Sequence, residues 1–174
     1  NEIQQLYICS QLVKALKELE AHGAISHNHE ILVIPSVNRF SMNVGKRFWP
    51  TDNSDINRAF PGDVNGDTTK QIAGTLFDRI KGYSYGIHFA SFYMPGDFIP
   101  HVKMMDTGFQ SASLANLFGL QYVVIRKPKP MDTVTLNYNW QMNGTNAFSI
   151  YTNSTDMIDE KSARQAASTT SPVE

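Results

Sequence analysis

Three groups of polar side chains follow apolar runs in this sequence, at positions where a binding or catalytic site can form. The groups are, in chain order, Asn38, Arg47, Asp55, Asn57 and Arg58, then His88, then Tyr151 and Asp156. In open α/β sheets, sites collect beyond the carboxyl ends of the strands. Each group alone also has a structural explanation, because a histidine at a strand end is commonly structural and an Asp-x-Asn-Arg run can bond its own backbone. Their occurrence together predicts a functional pocket.

The spacing of apolar residues predicts the helices and strands that would position these groups. Helices are expected over 3–19, with Gly23 as the stop, and over 67–80, capped by Asp67 or Thr68. Further helices are expected over 106–118 and from Ser162 onward, and strands over 30–35, 83–89, 122–125 and 147–152. Strands that alternate with helices indicate an α/β fold, a three-layer sandwich with a mixed, mostly parallel central sheet flanked by helices. The long aperiodic loop over 36–66 is of a kind that is often functional.

The composition indicates a globular protein and argues against several classes of partner. The chain has 174 residues, 41% of them hydrophobic and 18% charged, and a formal net charge of -1. This charge gives no argument for nucleic acid or an anionic membrane as a partner, and no apolar run approaches the roughly 20 residues that span a bilayer. The basic cluster 126–129 is interpreted as a solvated strand end, and Cys9 alone allows no intrachain disulfide. We therefore expect a cytoplasmic protein without nucleic-acid or membrane partners, and the sequence leaves its oligomeric state open.

The two ends of the sequence suggest that residues 1–174 form a single domain that is incomplete at both ends. Asn1 stands directly inside a helical pattern, and the chain stops in a polar tail after Ser168.

Four segments of the chain carry a resemblance to a known family. Asn1-Glu2 before a helix looks like the end of a Gly-x-His-Gly-Asn-Glu segment, and 33–38 looks like the strand and Asn that follow it. Residues 55–62, Asp-Ile-Asn-Arg-Ala-Phe-Pro-Gly, resemble an Asp-Leu-Asn-Arg-x-Phe-Pro-Gly motif, and 86–88 resembles the strand that brings the last metal ligand. Together they resemble the succinylglutamate desuccinylase/aspartoacylase family, a branch of the zinc carboxypeptidase fold.

This resemblance implies zinc-dependent hydrolysis of an amide bond in a small substrate bearing a carboxylate, such as an N-acyl amino acid or a short peptide. Catalytic zinc usually has three protein ligands and one open position. By resemblance, Glu2 and His88 supply two of these ligands, and the third would precede Asn1.

The resemblance also assigns substrate-binding roles to the long loop. Asn57 and Arg58 would hold the substrate carboxylate, since a guanidinium matches a carboxylate with two hydrogen bonds. Arg47 is a candidate second cation, and His101 either lines the pocket or is structural. Asp55 either orients Arg58 or braces the loop, and bracing is favoured.

The chain departs from the family pattern where the general base is expected. The family glutamate comes from a Val-x-Glu-x-Gly strand, and the matching register places Tyr151 there. Three outcomes follow: Asp156 or Glu160 reaches the site, Tyr151 serves in a modified mechanism as a hydrogen-bond donor to an oxyanion, or the chain is a non-catalytic relative that binds a carboxylate ligand. A purely structural α/β domain is a further reading. Gly86 stands where many relatives have Asp, and it has no side chain to support a ligand.

Overall fold

Within the part of the chain that the structure describes, a four-stranded sheet forms the centre of the molecule. The computed structural model describes residues 2–94, 96–154 and 158–170. The strands are β1 (Tyr85–Phe92), β2 (His101–Met105), β3 (Tyr122–Arg126) and β4 (Asn146–Ser154), in the order β1-β4-β2-β3. β1 and β4 are parallel, as are β2 and β3, whereas β2 and β4 are antiparallel. The prediction of a mixed, mostly parallel sheet is confirmed.

Helices cover both faces of this sheet. They are α1 (Ile3–Ala21), α2 (Arg39–Asn43), α3 (Thr68–Ile80), α4 (Leu136–Met142) and α5 (Glu160–Thr170), with short 3₁₀ helices at Ile56–Arg58, Ala112–Phe118 and Pro130–Asp132. On one face, α1, α5 and the second 3₁₀ helix enclose a core with β2 and β4 that includes Ile8, Val102, Phe148, Ile150 and Ala163. On the other face, α3 and α4 enclose a second core that includes Phe60, Phe77, Ile80, Trp140 and Ala147. No helix of the described residues is long and apolar enough to cross a membrane.

β4 contributes to both cores because its side chains alternate between the two faces of the sheet. Phe148 and Ile150 lie in the first core, so Ala147 and Ser149 lie on the opposite face. The strand register places Ser149 between His88 of β1 and Lys103 of β2. The sheet thus brings a histidine, a serine and a lysine into one row on the face covered by α4.

Local sequence signals explain the elements that were predicted correctly. The Asp67 carboxylate accepts a hydrogen bond from the Lys70 amide at 3.0 Å and caps α3. The helix then buries Ala73, Phe77 and Ile80 at three- and four-residue spacing. The predictions of α1, α3, β3, β4 and α5 are confirmed to within a few residues.

Three predictions of secondary structure are wrong. Residues 30–35 form no strand: Ile31 is 51% exposed, and the segment is not part of the four-stranded sheet. His88 lies in the middle of β1, not at its end, because the strand continues to Phe92. Only the 3₁₀ helix Ala112–Phe118 forms where a helix over 106–118 was expected. The sequence also gave no signal for α4, because buried polar residues such as Asn137 interrupt the apolar pattern of its buried face.

Candidate active site

The structure gathers most of the predicted site residues around one cleft of about 450 Å³. Its walls come from the start of α1, the segment 32–38, the loop before α3 and the exposed side of β1. The predicted site residues that line it are Glu2, Arg47, Asn57, Arg58, His88 and Tyr151. Residues far apart in the sequence therefore meet in one concave surface, as the resemblance implied.

Glu2 and His88 provide one carboxylate and one imidazole in this cleft. Glu2 Oε1 accepts hydrogen bonds from the Ser91 hydroxyl at 2.8 Å and the Ser91 amide at 3.2 Å, which orient the carboxylate. Burial lowers the pKa of His88, and the negative charges of Glu2 and Asp55 partly oppose this effect. A lowered pKa favours the neutral imidazole, which is the form that binds metals. No group of three His, Cys, Asp or Glu side chains among the described residues is placed to hold a metal ion.

The first half of the 55–62 motif docks the loop onto the segment 131–136. Asp55 accepts a hydrogen bond from the Asn57 amide at 3.0 Å and caps the 3₁₀ helix. Asn57 Oδ1 accepts from the Leu136 amide at 3.1 Å, and Arg58 Nη1 donates to the Met131 carbonyl at 3.1 Å. The other guanidinium N–H groups of Arg58 have no hydrogen-bond partner among the described residues. Arg58 is thus fixed at one nitrogen and keeps further donors for a ligand.

The second half of the motif anchors the loop on α3. Phe60 is buried and contacts Phe77 edge-to-face with ring centroids 6.2 Å apart, and the Phe60-Pro61 bond is cis. Gly62 has a φ of +99°, and a Cβ at this position would lie 2.1 Å from the amide nitrogen of Gly74 in α3. Only glycine permits this approach, so the Phe-Pro-Gly residues have a structural role.

Arg47 and Asp55 tie the long loop to the loop after β1. Arg47 Nη2 forms an ion pair with Asp55 Oδ2 at 2.8 Å, and its guanidinium lies 3.9 Å from the centre of the Tyr93 ring. Burial, with the nearby charge of Glu2, raises the pKa of Tyr93 to about 12, so the ring stays neutral at physiological pH. The predicted bracing role of Asp55 is confirmed, since it caps the 3₁₀ helix and pairs with Arg47.

Tyr151 lies in the cleft at the position where the family glutamate was expected. Its ring stacks on His101 with centroids 5.3 Å apart and contacts Phe92 at 5.2 Å. Burial, and then the charge of Glu2, raises the pKa of Tyr151, although three arginines oppose this. The phenol therefore keeps its proton near pH 7, and a protonated phenol can donate a hydrogen bond but is a poor base.

The other predicted candidates are placed differently. His101 does not line the cleft, and its ring stacks on the ring of Tyr151. Glu160 is the first residue of α5, where it is exposed and pairs with Arg164 at 2.9 Å, and it does not line the cleft. Asp156 lies outside the described residues.

Comparison of the sequence with models of known families shows which family the chain belongs to. A family model, the succinylglutamate desuccinylase/aspartoacylase catalytic domain, matches residues 1–173. The chain belongs to this family.

Relatives of the succinylglutamate desuccinylase/aspartoacylase family share the fold at low identity. An aspartoacylase family protein from Mesorhizobium loti superposes with a TM-score of 0.74 at 19% identity, covering 97% of this chain and 54% of that one. A product-bound ectoine utilization protein from Ruegeria pomeroyi gives 0.66 at 21% identity, covering 89% and 49%. The N-α-acetyl-L-2,4-diaminobutyric acid deacetylase of Halomonas elongata is 37% identical over 50 residues, which are 29% of this chain and 14% of that protein. The chain thus spans about half the length of the two solved proteins.

The structure shows why residue 86 of β1 is a glycine. A Cβ at Gly86 would lie 2.8 to 3.0 Å from three ring carbons of Trp140. The Trp140 ring of α4 therefore occupies the space above β1 that a side chain would need. A side chain at residue 86 would overlap this ring, a contact that sequence spacing cannot reveal.

Sequence reasoning also missed a smaller recess of about 130 Å³ that adjoins the cleft. It shares four lining residues with the cleft, Asn57, Arg58, His88 and Tyr151. Its remaining polar lining residues include Lys103, Arg126, Asp132, Asn137 and Ser149. The only sequence signal was a lysine between two apolar residues in the run 102–104.

Arg126 and Asp132 form a half-buried ion pair at the far side of this recess. Arg126 donates to both carboxylate oxygens, at 2.6 and 2.7 Å, and Asp132 also accepts from the Lys129 amide at 2.7 Å. Hydrogen bonding from Arg126 lowers the pKa of Asp132 to about 2. The interpretation of this basic cluster as a solvated strand end is wrong for Arg126, because Asp132 holds it against the sheet.

Proposed function

We propose that this chain is the catalytic core of a zinc-dependent hydrolase that cleaves an amide bond in a small carboxylate-bearing substrate, such as an N-acyl amino acid. The observation that carries the proposal is that Glu2, His88, Asn57 and Arg58 line one cleft. Family membership supports amide hydrolysis, because the family is named for a desuccinylase and an aspartoacylase and the Halomonas relative is a deacetylase.

Glu2 and His88 fit the chemistry of a zinc site. They offer one oxygen and one nitrogen donor, which are ligand types that zinc accepts. The His88 ring makes no hydrogen bond to any described residue, and Ser91 orients the Glu2 carboxylate. A hydrogen bond of this kind to a ligating carboxylate is common around metal sites. The two residues would supply two of the usual three protein ligands.

Arg58 and Asn57 would position the substrate beside these ligands. The free N–H groups of Arg58 match a carboxylate, and the Asn57 amide nitrogen adds a directional donor. The contacts to Met131 and Leu136 hold both residues in place before a substrate arrives. Pre-positioned binding groups lower the entropic cost of reaching the reactive geometry.

Tyr151 would stabilise the oxyanion that forms when the amide carbonyl is attacked. Its phenol is protonated near neutral pH and lines the same cleft as His88. The chemistry that zinc would supply there is polarisation of the carbonyl and activation of water. Donors placed where negative charge develops are a large term in acyl-transfer catalysis.

A second function, carboxylate binding without turnover, is favoured by one observation. Tyr151 stands where the glutamate was expected, and Glu160 does not line the cleft. On this reading, Arg58 and Asn57 recognise a ligand that the protein holds and does not cleave.

The test measures zinc content and amine release from a panel of N-acyl amino acids with the purified protein. We expect turnover that chelation abolishes and that Arg58→Ala or His88→Ala reduces at least about 100-fold, while Arg164→Ala, which removes an exposed arginine on α5, has no effect. Tight binding without product would favour the second function. Turnover that survives chelation and both substitutions would contradict the proposal.

A further inference from the structure

We propose that Arg126 and Asp132 are positioning residues for recognition of the substrate carboxylate, because their ion pair fixes the turn 129–136 that holds Arg58. This inference rests on the proposed function and deepens it, since it concerns what keeps the carboxylate-binding guanidinium in place. Neither residue of the pair lines the main cleft, so the pair would act through the turn and not by touching the substrate.

The turn 129–136 contacts the motif loop 55–62 through three hydrogen bonds, each 3.1 Å long. They join Arg58 Nη1 to the Met131 carbonyl, the Phe60 amide to the Val134 carbonyl, and the Leu136 amide to Asn57 Oδ1. The first of them involves the guanidinium that is proposed to bind the carboxylate. A displacement of the Met131 carbonyl would therefore move Arg58 or remove this contact.

The part of the turn that carries Met131 is anchored by a buried carboxylate. Met131 is 64% exposed and Val134 is 39% exposed, whereas Asp132 between them is only 3% exposed. Leu136 differs from Met131, because it lies in the second core and so fixes the contact to Asn57 independently. A buried charge is unfavourable unless it is paired and hydrogen-bonded. The partners of the Asp132 carboxylate therefore determine where the Met131 carbonyl lies.

Arg126 is the cation that ties this carboxylate to the sheet. It is the last residue of β3, where it pairs with Met105 of β2. Its guanidinium donates to both oxygens of Asp132, at 2.6 and 2.7 Å, and this two-pronged geometry restricts the orientation of the carboxylate. The Lys129 amide donates to the same carboxylate at 2.7 Å and closes the turn around it. A continuous path of printed contacts thus runs from the sheet through Asp132 and the turn to Arg58.

Positioning and simple charge predict opposite effects when Asp132 is neutralised. The positive charge of Arg58 contributes to the lowered pKa of Asp132, so the two groups interact electrostatically. If charge alone mattered, Asp132→Asn would remove a negative group and leave Arg126 unpaired, and a carboxylate ligand would bind more tightly. If the pair positions Arg58, the same substitution loosens the turn and the ligand binds more weakly. Asp132→Asn therefore separates the two explanations by the sign of its effect.

The experiment measures butyrate binding by calorimetry, with pentan-2-one as a neutral ligand of the same shape, and it requires no turnover. We expect Arg58→Ala to weaken butyrate binding about 10- to 100-fold and Asp132→Asn to weaken it about 3- to 10-fold, with pentan-2-one binding unchanged. In the Arg58→Ala background, Asp132→Asn should have no further effect, since the two residues act as one unit. Arg126→Lys keeps the charge but loses the two-pronged geometry, so its affinity should lie between those of wild-type protein and Asp132→Asn.

Gly82→Ala controls for a general loss of stability. Gly82 has a φ of +93° and lines neither the cleft nor the recess, so this variant is strained but should bind butyrate like wild-type protein. Hydrogen exchange at the Thr135 amide, which donates to the Asp132 carbonyl at 2.9 Å, reports closure of the turn without any ligand. Relative to the amides of α3, this exchange should become about 10-fold faster in Asp132→Asn and stay unchanged in Gly82→Ala.

Each result supports or overturns a separate part of the inference. Butyrate affinity that is unchanged or higher in Asp132→Asn would overturn the positioning role, and so would equal losses in the wild-type and Arg58→Ala backgrounds. Butyrate binding that does not depend on Arg58 would overturn the carboxylate site of the proposed function and the positioning role with it. Absence of amide turnover, with all the binding and exchange results as expected, would overturn only the proposed hydrolysis.

Discussion

Replacement of Gly62 by alanine tests whether the motif loop is held by its close approach to α3. A Cβ at this position would lie 2.1 Å from Gly74 N and 2.2 Å from Gly74 Cα. Both atoms belong to the backbone, so no rotation of a side chain relieves the overlap. An alanine in the left-handed region costs about 1–2 kcal/mol, and overpacking adds about 1–3 kcal/mol. The expected loss in the free energy of unfolding is therefore about 2–5 kcal/mol, a large part of the about 5–15 kcal/mol typical of a domain.

Gly82→Ala is the matched control. Gly82 has a φ of +93°, close to the +99° of Gly62, but nothing lies within 4 Å of its added Cβ. This variant should lose only the backbone contribution of about 1–2 kcal/mol. Urea unfolding followed by circular dichroism measures both variants, and the difference between them isolates the contact with α3. Equal losses in the two variants would refute the close-approach argument.

Three further predictions concern single side chains around the site. Asp132→Asn should lose about 2 kcal/mol of stability at pH 7, because Arg126 holds the pKa of Asp132 near 2 in the folded protein. Since the folded pKa is depressed, the stability difference between wild-type protein and Asp132→Asn should vanish as the pH falls from about 4 to about 2. Urea titrations over this pH range measure it. Gly86→Ala should lower the free energy of unfolding by about 1–3 kcal/mol through overlap with the Trp140 ring, and an unchanged urea midpoint would contradict that contact. Tyr151→Phe should reduce kcat about 100-fold with little change in KM, and an unchanged kcat would remove Tyr151 from the mechanism.

Features encoded by local sequence or by a contiguous motif were predictable. Asp67 caps α3 and the apolar spacing after it defines the buried face, so this helix was identified from residues within one turn of each other. The motif at residues 55–62 predicted a specialised loop. The hydrogen bonds of this loop are mostly local or made to the segment 131–136. The cleft that unites this loop with His88 followed from the family resemblance, since nothing in the spacing alone links residues 58 and 88.

Features that depend on strand register or on distant packing were not predictable. Lys103 joins His88 only because β4 lies between their strands with Ser149 in register. The coupling of Gly86 to Trp140 joins residues in β1 and α4 whose contact depends on how the helix sits on the sheet. Residues 30–35 have the composition of a buried strand, but a strand also needs a pairing partner, and this segment joins no strand of the described sheet.

In the proposed function, Arg58 binds the carboxylate of the substrate while the neighbouring cleft residues support amide cleavage. The most direct measurement is the ratio of kcat/KM for an N-acyl amino acid to that for its C-terminal carboxamide, in wild-type protein and in Arg58→Ala. Wild-type protein should prefer the carboxylate about 10- to 100-fold, and Arg58→Ala should reduce this ratio to near one. An identical ratio in the two proteins would contradict a role of Arg58 in binding the substrate carboxylate.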